Sequence, residues 1–382
     1  MNDSLPDYQY QALSTFDSVR LLSISRDDNH PHGLWLSLKE VNLDDEPIFA
    51  ALSYTWQLPK YSNSEGAEEP GPGRTFEIVC DGKLMEISEN LFDFLRTVLD
   101  FRCSLTKRGP PTSRKCPPKA RSALESMPLW IDAFCIDQAN TEEKKHQVLL
   151  MHRIYSSAQD VLVWLGILEP DSEVQWIHDK FIPRLSRMVR ERPDFARNHL
   201  PKDPYCKTPE VLAELGSEYC SRWAGAWLPF AKFFRQNRWF DRGWVVQEVA
   251  LTDPAQIYVL CGESILSWKR LGAFILFLRE SGWGQSLEVQ LEGSWGLLSQ
   301  VGSLDMSQSA TSRRFGIGSG LYKINGVRPL LVELVRATET RGWNTRSESA
   351  WLACASVLIT TLRSFQFGDD RDHIHGCLGM LS

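Results

Sequence analysis

One stretch, residues 129–165, constrains the fold more than any other. Leu129-Trp-Ile-Asp-Ala-Phe134 is a short apolar run that reads as a buried strand, and Val161-Leu-Val-Trp-Leu165 reads as another, closed by Gly166. Between them Val148, Met151, Ile154, Tyr155 and Ala158 recur at helical spacing. Asn140 and Glu143, three residues apart, form a capping pair that opens this helix. Strand, helix and strand in so short a span make a βαβ unit, which requires parallel strands and a right-handed crossover. The expected fold is therefore α/β, with a central, mostly parallel sheet flanked by helices.

The remaining elements fit around that unit. Residues 49–56 (Phe-Ala-Ala-Leu-Ser-Tyr-Thr-Trp) read as the first core strand, ending in polar and aromatic groups. A loop rich in Pro, Gly, Ser and Glu covers 57–74. Residues 76–80 and 83–87 flank Asp81-Gly82, a hairpin signal, because Asp-Gly favours the turn with positive φ at both central positions. Ser88 caps a helix to about 102, with Leu91, Phe92, Leu95, Val98 and Leu99 on one face. Residues 103–128, basic and proline-rich, read as a surface loop. Helix-like pieces with several prolines fill an insertion at about 169–237, residues 257–260 form another strand, and the chain after Trp268 looks helical near 269–280, 329–339 and 350–363. This divides the chain into 1–268, with the α/β core from about 49, and a mainly helical C-terminal extension, 269–382.

Composition excludes several classes. Hydrophobic residues are 43% and charged residues 24% of the chain, as in ordinary globular proteins. Net charge is −6, so a broad nucleic-acid-binding face is not expected. The longest useful uncharged stretch, residues 350–362, is shorter than the ~20 apolar residues that cross a bilayer. Residues 1–7 lack the basic-then-apolar build of a signal peptide. The nine Cys are odd in number and have no Cys-x-x-Cys pair, so they read as reduced thiols of a cytoplasmic protein.

No phosphate-loop or nucleophile-elbow pattern is present. Gly316-Ile-Gly318-Ser-Gly320 reads as a turn, and His30/His32 and His373/His375 lack partners at metal-site spacing, so no metal is expected. Three segments do place polar groups where parallel strands end, the region in which such sheets bind ligands. They are Ser53-Tyr54-Thr55-Trp56, the run from Asp132 through Cys135 and Asp137 to Asn140, and the helix carrying Trp244 and Glu248. The last two share a helix face because they are four apart. An indole plane beside a carboxylate can hold a flat heterocycle and oppose a developing positive charge. The plain alternative is that Asp132 and Asp137 satisfy loop amides, Trp244 is core and Glu248 is a solvated helix residue.

These segments resemble the heterokaryon-incompatibility (HET) domain of filamentous fungi. The matching residues are Ala51-Leu-Ser-Tyr-Thr-Trp56, Leu129-Trp-Ile-Asp-Ala-Phe-Cys-Ile-Asp-Gln-Ala-Asn140, Val163-Trp-Leu-Gly166 and Arg238-Trp-Phe-Asp-Arg-Gly-Trp-Val-Val-Gln-Glu248. Residues 370–380 look like the segment that commonly follows this domain. One departure is Gln57, where the family usually has Gly after the Trp; Gln tolerates positive φ poorly. The resemblance implies a role in regulated cell death when incompatible fungal cells fuse, and a fold distantly similar to the TIR domains of innate immunity. Enzymatic TIR domains cleave NAD with a Glu four residues after a Trp on a helix, a pattern that falls here on Trp244 and Glu248.

On that resemblance Glu248 is the expected catalytic residue of an NAD hydrolase. Ser53, Tyr54, Thr55, Trp56, Asp132, Cys135, Asp137, Asn140, Arg242 and Trp244 are the expected substrate-binding residues, with Tyr54, Trp56 and Trp244 stacking on the bases. Trp130 and Trp164 interrupt apolar strand runs and are expected in the core. One carboxylate suffices because nicotinamide leaves NAD as a neutral molecule, unlike the leaving groups of ordinary glycosides that need a second carboxyl as acid. A fixed negative charge in a low-dielectric cleft stabilises the oxocarbenium-like transition state, each ~1.4 kcal/mol giving a tenfold rate gain. NAD is then a substrate, with no permanently bound cofactor. The implied partners are NAD or a related nucleotide, further copies of the chain, and an upstream incompatibility or NLR-type signalling protein; no nucleic acid and no membrane span are expected. The alternative is a death-signalling module without chemistry that acts by self-association.

Overall fold

The computed structural model describes residues 5–287, apart from residues 30, 58–72, 107–122, 169–171, 243, 251, 263 and 284–285. The expected stretches 329–339 and 350–363, the glycine run at 316–320, His30, His373, His375 and the segment 370–380 lie outside the described residues.

Two strands precede the first one expected from sequence. β1 (Ser18–Arg26) and β2 (Leu34–Asn42) form an antiparallel pair in register from Ser18–Asn42 to Arg26–Leu34. Then come β3 (Ala50–Ser53), β4 (Thr75–Cys80), β5 (Lys83–Ser88), α1 (Glu89–Thr106) and β6 (Leu129–Trp130). A single helical turn, α2 (Asp132–Cys135), is followed by α3 (Thr141–Ser157) and β7 (Asp160–Trp164). The next helices are α4 (Glu173–Trp176), α5 (Ile182–Glu191), α6 (Pro193–His199), α7 (Pro209–Leu215) and α8 (Ser217–Gln236). A π-turn, Ile177–Phe181, joins α4 to α5, and a 3-10 turn, Arg238–Asp241, leads into α9 (Trp244–Ala250). β8 (Ile257–Cys261), β9 (Ser264–Ser267) and α10 (Trp268–Glu280) complete the described chain.

The strands form one sheet in the order β5-β4-β2-β1-β6-β3-β7-β8-β9. The block β6-β3-β7-β8 is parallel throughout. The sheet as a whole is mixed rather than mostly parallel: β1 pairs antiparallel with β2 and β6, and β4–β5 and β8–β9 are antiparallel too. For β1–β2, β4–β5 and β8–β9 the cause is the length of the connections. Strands joined by a few residues, such as β4 and β5 across Asp81-Gly82, cannot run parallel, which needs a crossover. At that turn φ is +50° at Asp81 and +74° at Gly82, as the Asp-Gly pair leads one to expect. The βαβ unit also forms, but β3 lies between its two strands, so α3 crosses over one strand.

Residues 129–134 are strand for only two positions before α2 begins. Asn140 caps α3, its side-chain oxygen accepting from the backbone N–H groups of Glu142 and Glu143. Glu143 does not return the bond. Its carboxylate instead takes both terminal nitrogens of Arg20 on β1, at 2.6 and 3.0 Å, and the N–H of Asp137. The core is continuous from Val19 to Leu287, and Trp130 and Trp164 sit inside it. Within the helical stretch, Trp223 of α8 stacks on Phe181 with centroids 4.1 Å apart. Among the described residues no helix is long and apolar enough to cross a membrane.

Candidate active site

β3 ends at Ser53, near the carboxyl ends of its two parallel neighbours, β6 and β7. Pleating sends successive side chains to opposite faces, so Ser53 and Tyr54 leave the strand in different directions. The Ser53 hydroxyl donates to Glu248 Oε2 on α9 and accepts from the indole N–H of Trp239 at 2.8 Å. Glu248 is 3% exposed. Arg242, at the turn before α9, donates to the backbone carbonyl of Tyr54 and stands 3.9 Å from Glu248 Oε1. The plain alternative of a solvated Glu248 is therefore excluded.

Asp132 opens α2, just beyond β6. Its Oδ2 accepts from the indole N–H of Trp56 at 3.0 Å, and its Oδ1 from the N–H of Ala133 at 2.7 Å. Trp56 is 45% exposed. Glu248 is thus a covered carboxyl group, whereas the indole that Asp132 holds is open to solvent.

Burial pushes the Glu248 carboxyl above the ordinary range and the Asp132 charge adds to this, while the Arg242 guanidinium and the Ser53 hydroxyl favour the anion. Burial likewise raises Asp132, opposed by Trp56 and Arg242. Two interacting carboxyls beside one guanidinium can stabilise a cation or bind hydroxyl donors.

The expected site residues divide into two sets. Ser53, Tyr54, Arg242 and Glu248 come together, with Asp132 and Trp56 paired beside them. Trp244 is half-buried against the core. The others are engaged in holding local structure. Thr55 is tied to Asn90, which bonds its carbonyl at 2.6 Å and takes the indole N–H of Trp164 at 2.9 Å. Cys135 is buried, its thiol accepting from Ile131 N–H, and burial pushes it up to about 12. Asp137 accepts from Ala139 N–H, and Asn140 caps α3. Gln57 does not adopt positive φ; it accepts from Arg238 instead.

Three participants were not singled out from sequence. Trp239, within the quoted block 238–248, supplies a donor to Ser53. Asn90 and Arg20 lie far along the chain from what they brace, and no local signal marks them. Among the described residues no group of three or more His, Cys, Asp or Glu could hold a metal ion.

The family model for "Heterokaryon incompatibility protein (HET)" matches residues 49–248, just over half of the chain, from the residue before β3 to Glu248 itself. The chain is similar to heterokaryon incompatibility protein 6, OR allele, of Neurospora crassa, at 25% identity over 292 residues. That match covers 71% of this chain and 38% of the relative, so the chain spans well under half the relative's length. No solved structure matches the chain.

Proposed function

Since this chain belongs to the heterokaryon incompatibility (HET) family, we propose that it acts in fungal incompatibility as an effector of regulated cell death, by hydrolysing the nicotinamide–ribose bond of NAD with Glu248 as the catalytic residue. The observation that carries this reading is the buried Glu248 carboxyl, held by Ser53 at the carboxyl end of β3 beside Arg242 and Asp132.

The chemistry asks for one fixed negative charge. The leaving nicotinamide takes the bonding electrons and departs neutral, and the ribose carbon carries the developing positive charge. Glu248 opposes that charge in its ionised form, which the Arg242 guanidinium and the Ser53 hydroxyl favour against the burial that raises its carboxyl; once ionised, the charge acts strongly because little water screens it. Ser53, itself anchored by Trp239, fixes one carboxylate oxygen. The spacing of Trp244 and Glu248, which resembles that of enzymatic TIR domains, supports the same reading.

Purified protein incubated with millimolar NAD is expected to release nicotinamide, measured by chromatography. Glu248→Gln keeps the shape and an acceptor for Ser53 but removes the charge, and is expected to lower release by ~100-fold or more. Release by the variant equal to wild type would sink the assignment.

One observation favours a second reading. Glu248 is almost entirely covered in the single chain. A signalling module that acts by self-association, with no chemistry, needs no open cleft. Nicotinamide release that appears only where sedimentation shows association supports a site opened by assembly. Association without release at any concentration supports the module.

A further inference from the structure

Residues 53 to 57 run out from the carboxyl end of β3, and a side chain from elsewhere bonds each of them. The Ser53 hydroxyl joins Glu248 and Trp239, the Tyr54 carbonyl takes Arg242, and the Thr55 carbonyl takes Asn90. The Trp56 indole N–H reaches Asp132, and the Gln57 side-chain oxygen takes Nη1 of Arg238. Arg238, Trp239 and Arg242 all come from the 3-10 turn Arg238–Asp241 and the residue after it. That one turn therefore meets the strip at its covered start, Ser53, and at its exposed end, Gln57.

The two guanidinium groups differ in what they face. Arg242 stands 3.9 Å from Glu248 Oε1, so a carboxyl already meets its charge. Arg238 is half-buried and bonds a neutral amide oxygen; among the described residues it forms no ion pair. A guanidinium has five N–H donors in a fixed fork and pairs best with an anion that takes two of them at once. The bond to Gln57 leaves that capacity in place.

NAD makes a demand that Glu248, Asp132 and Arg242 do not meet. The carboxyl groups suit the developing positive charge and the sugar hydroxyls, but they repel the two phosphates of the molecule. Those phosphates need a cation whose charge is not taken up by a carboxyl. We infer that Arg238 binds the diphosphate of the nucleotide, its guanidinium exchanging the Gln57 amide for phosphate oxygens. Gln57 is exposed, so water then satisfies the released amide. This rests on the NAD reading and deepens it: Arg238 is the group that selects a nucleotide diphosphate over a nucleoside. The competing account is that Arg238 only pins the chain beyond Trp56.

The test measures nicotinamide release from NAD and from nicotinamide riboside, which has the same scissile bond and no diphosphate. Wild type is compared with Arg238→Ala, Arg238→Lys and Gln57→Ala. Arg238→Ala is expected to lower kcat/KM for NAD about tenfold more than for nicotinamide riboside, chiefly through KM. Arg238→Lys keeps the charge and is expected to recover part of that difference. Added salt is expected to raise KM for NAD more in wild type than in Arg238→Ala. Gln57→Ala removes only the neutral partner and is expected to retain the preference for NAD. The assignment is overturned if Arg238→Ala retains that preference, whether both substrates are unaffected or both fall alike as misfolding makes them, or if Gln57→Ala erases it as fully. Either result, with wild type cleaving NAD, leaves the NAD reading standing. Wild type that releases nicotinamide from neither substrate removes both.

Discussion

At the scale of single residues, burial decides protonation. His178 is 1% exposed and faces the Phe230 ring, and burial pushes its imidazole down to about 4. The unfolded chain takes up a proton near 6.5 and the folded chain does not. Stability is therefore fully present above 6.5 and is lost as pH falls toward 4, by up to about 3 kcal/mol. His178→Gln is expected to flatten the fall in urea midpoint between pH 7 and 4.5; an unchanged slope refutes this. Glu248 has the opposite sign. Its folded carboxyl holds its proton more tightly than the unfolded one, so stability is present below ordinary carboxyl values and is lost as pH rises through the raised value. Glu248→Gln is then expected to be more stable than wild type at pH 7.5, with the difference vanishing below about pH 4. A variant that is less stable than wild type at both pH values contradicts it. Such a gain in stability with a loss of activity is the pattern expected where a site is kept at the expense of the fold. Residue types point to part of this cluster. Glu248 and Ser53 stand out as polar groups at a strand end and on a neighbouring helix. Trp239 does not, because an indole within an aromatic run reads as core until its N–H is seen pointing at Ser53.

At the scale of elements, α3 depends on its cap. Asn140→Ala removes the acceptor for two backbone N–H groups and is expected to cost about 1 kcal/mol in chemical denaturation, while Asn140→Ser retains most of it. An Ala variant as stable as wild type shows that water satisfies that end equally well. The β4–β5 hairpin and α3 were legible because turn chemistry and helical period are local signals. Two elements were not. β1 and β2 present an ordinary alternation whose meaning depends on a partner, and each is the other's partner. The run 129–134 looked like one strand because all its residues are apolar save Asp132. The chain turns there because the ladder with β3 stops at Trp130 and Asp132 can start a helical turn.

At the scale of the molecule, the core runs without a break from the sheet into the helical stretch. Trp223 stacks on Phe181 and packs beside Trp227, Trp283 and Phe274, while the Trp283 indole N–H donates to the Leu200 carbonyl at 2.5 Å. Asn237, almost fully buried, joins that stretch to the sheet through the Leu165 carbonyl at 2.9 Å. Trp223→Ala is expected to cost about 3–5 kcal/mol and to lower the melting of helices and sheet together, in one transition. A separate early transition with the sheet unaffected would show two independent units.

The amino-acid sequence by itself determined the family, through short blocks of residues spread over 49–248, and the tight turn at Asp81-Gly82 and the cap of α3, which rest on residues close together in the chain; it also pointed to parallel strands through the local βαβ pattern. Only the tertiary structure decided that the sheet is mixed, that Glu248 is covered and bonded to Ser53, and that the hydroxyl of Tyr54 is buried without a partner among the described residues. Those outcomes join positions up to 195 residues apart, and at such separations burial and hydrogen bonding follow from how elements pack, which no local pattern encodes.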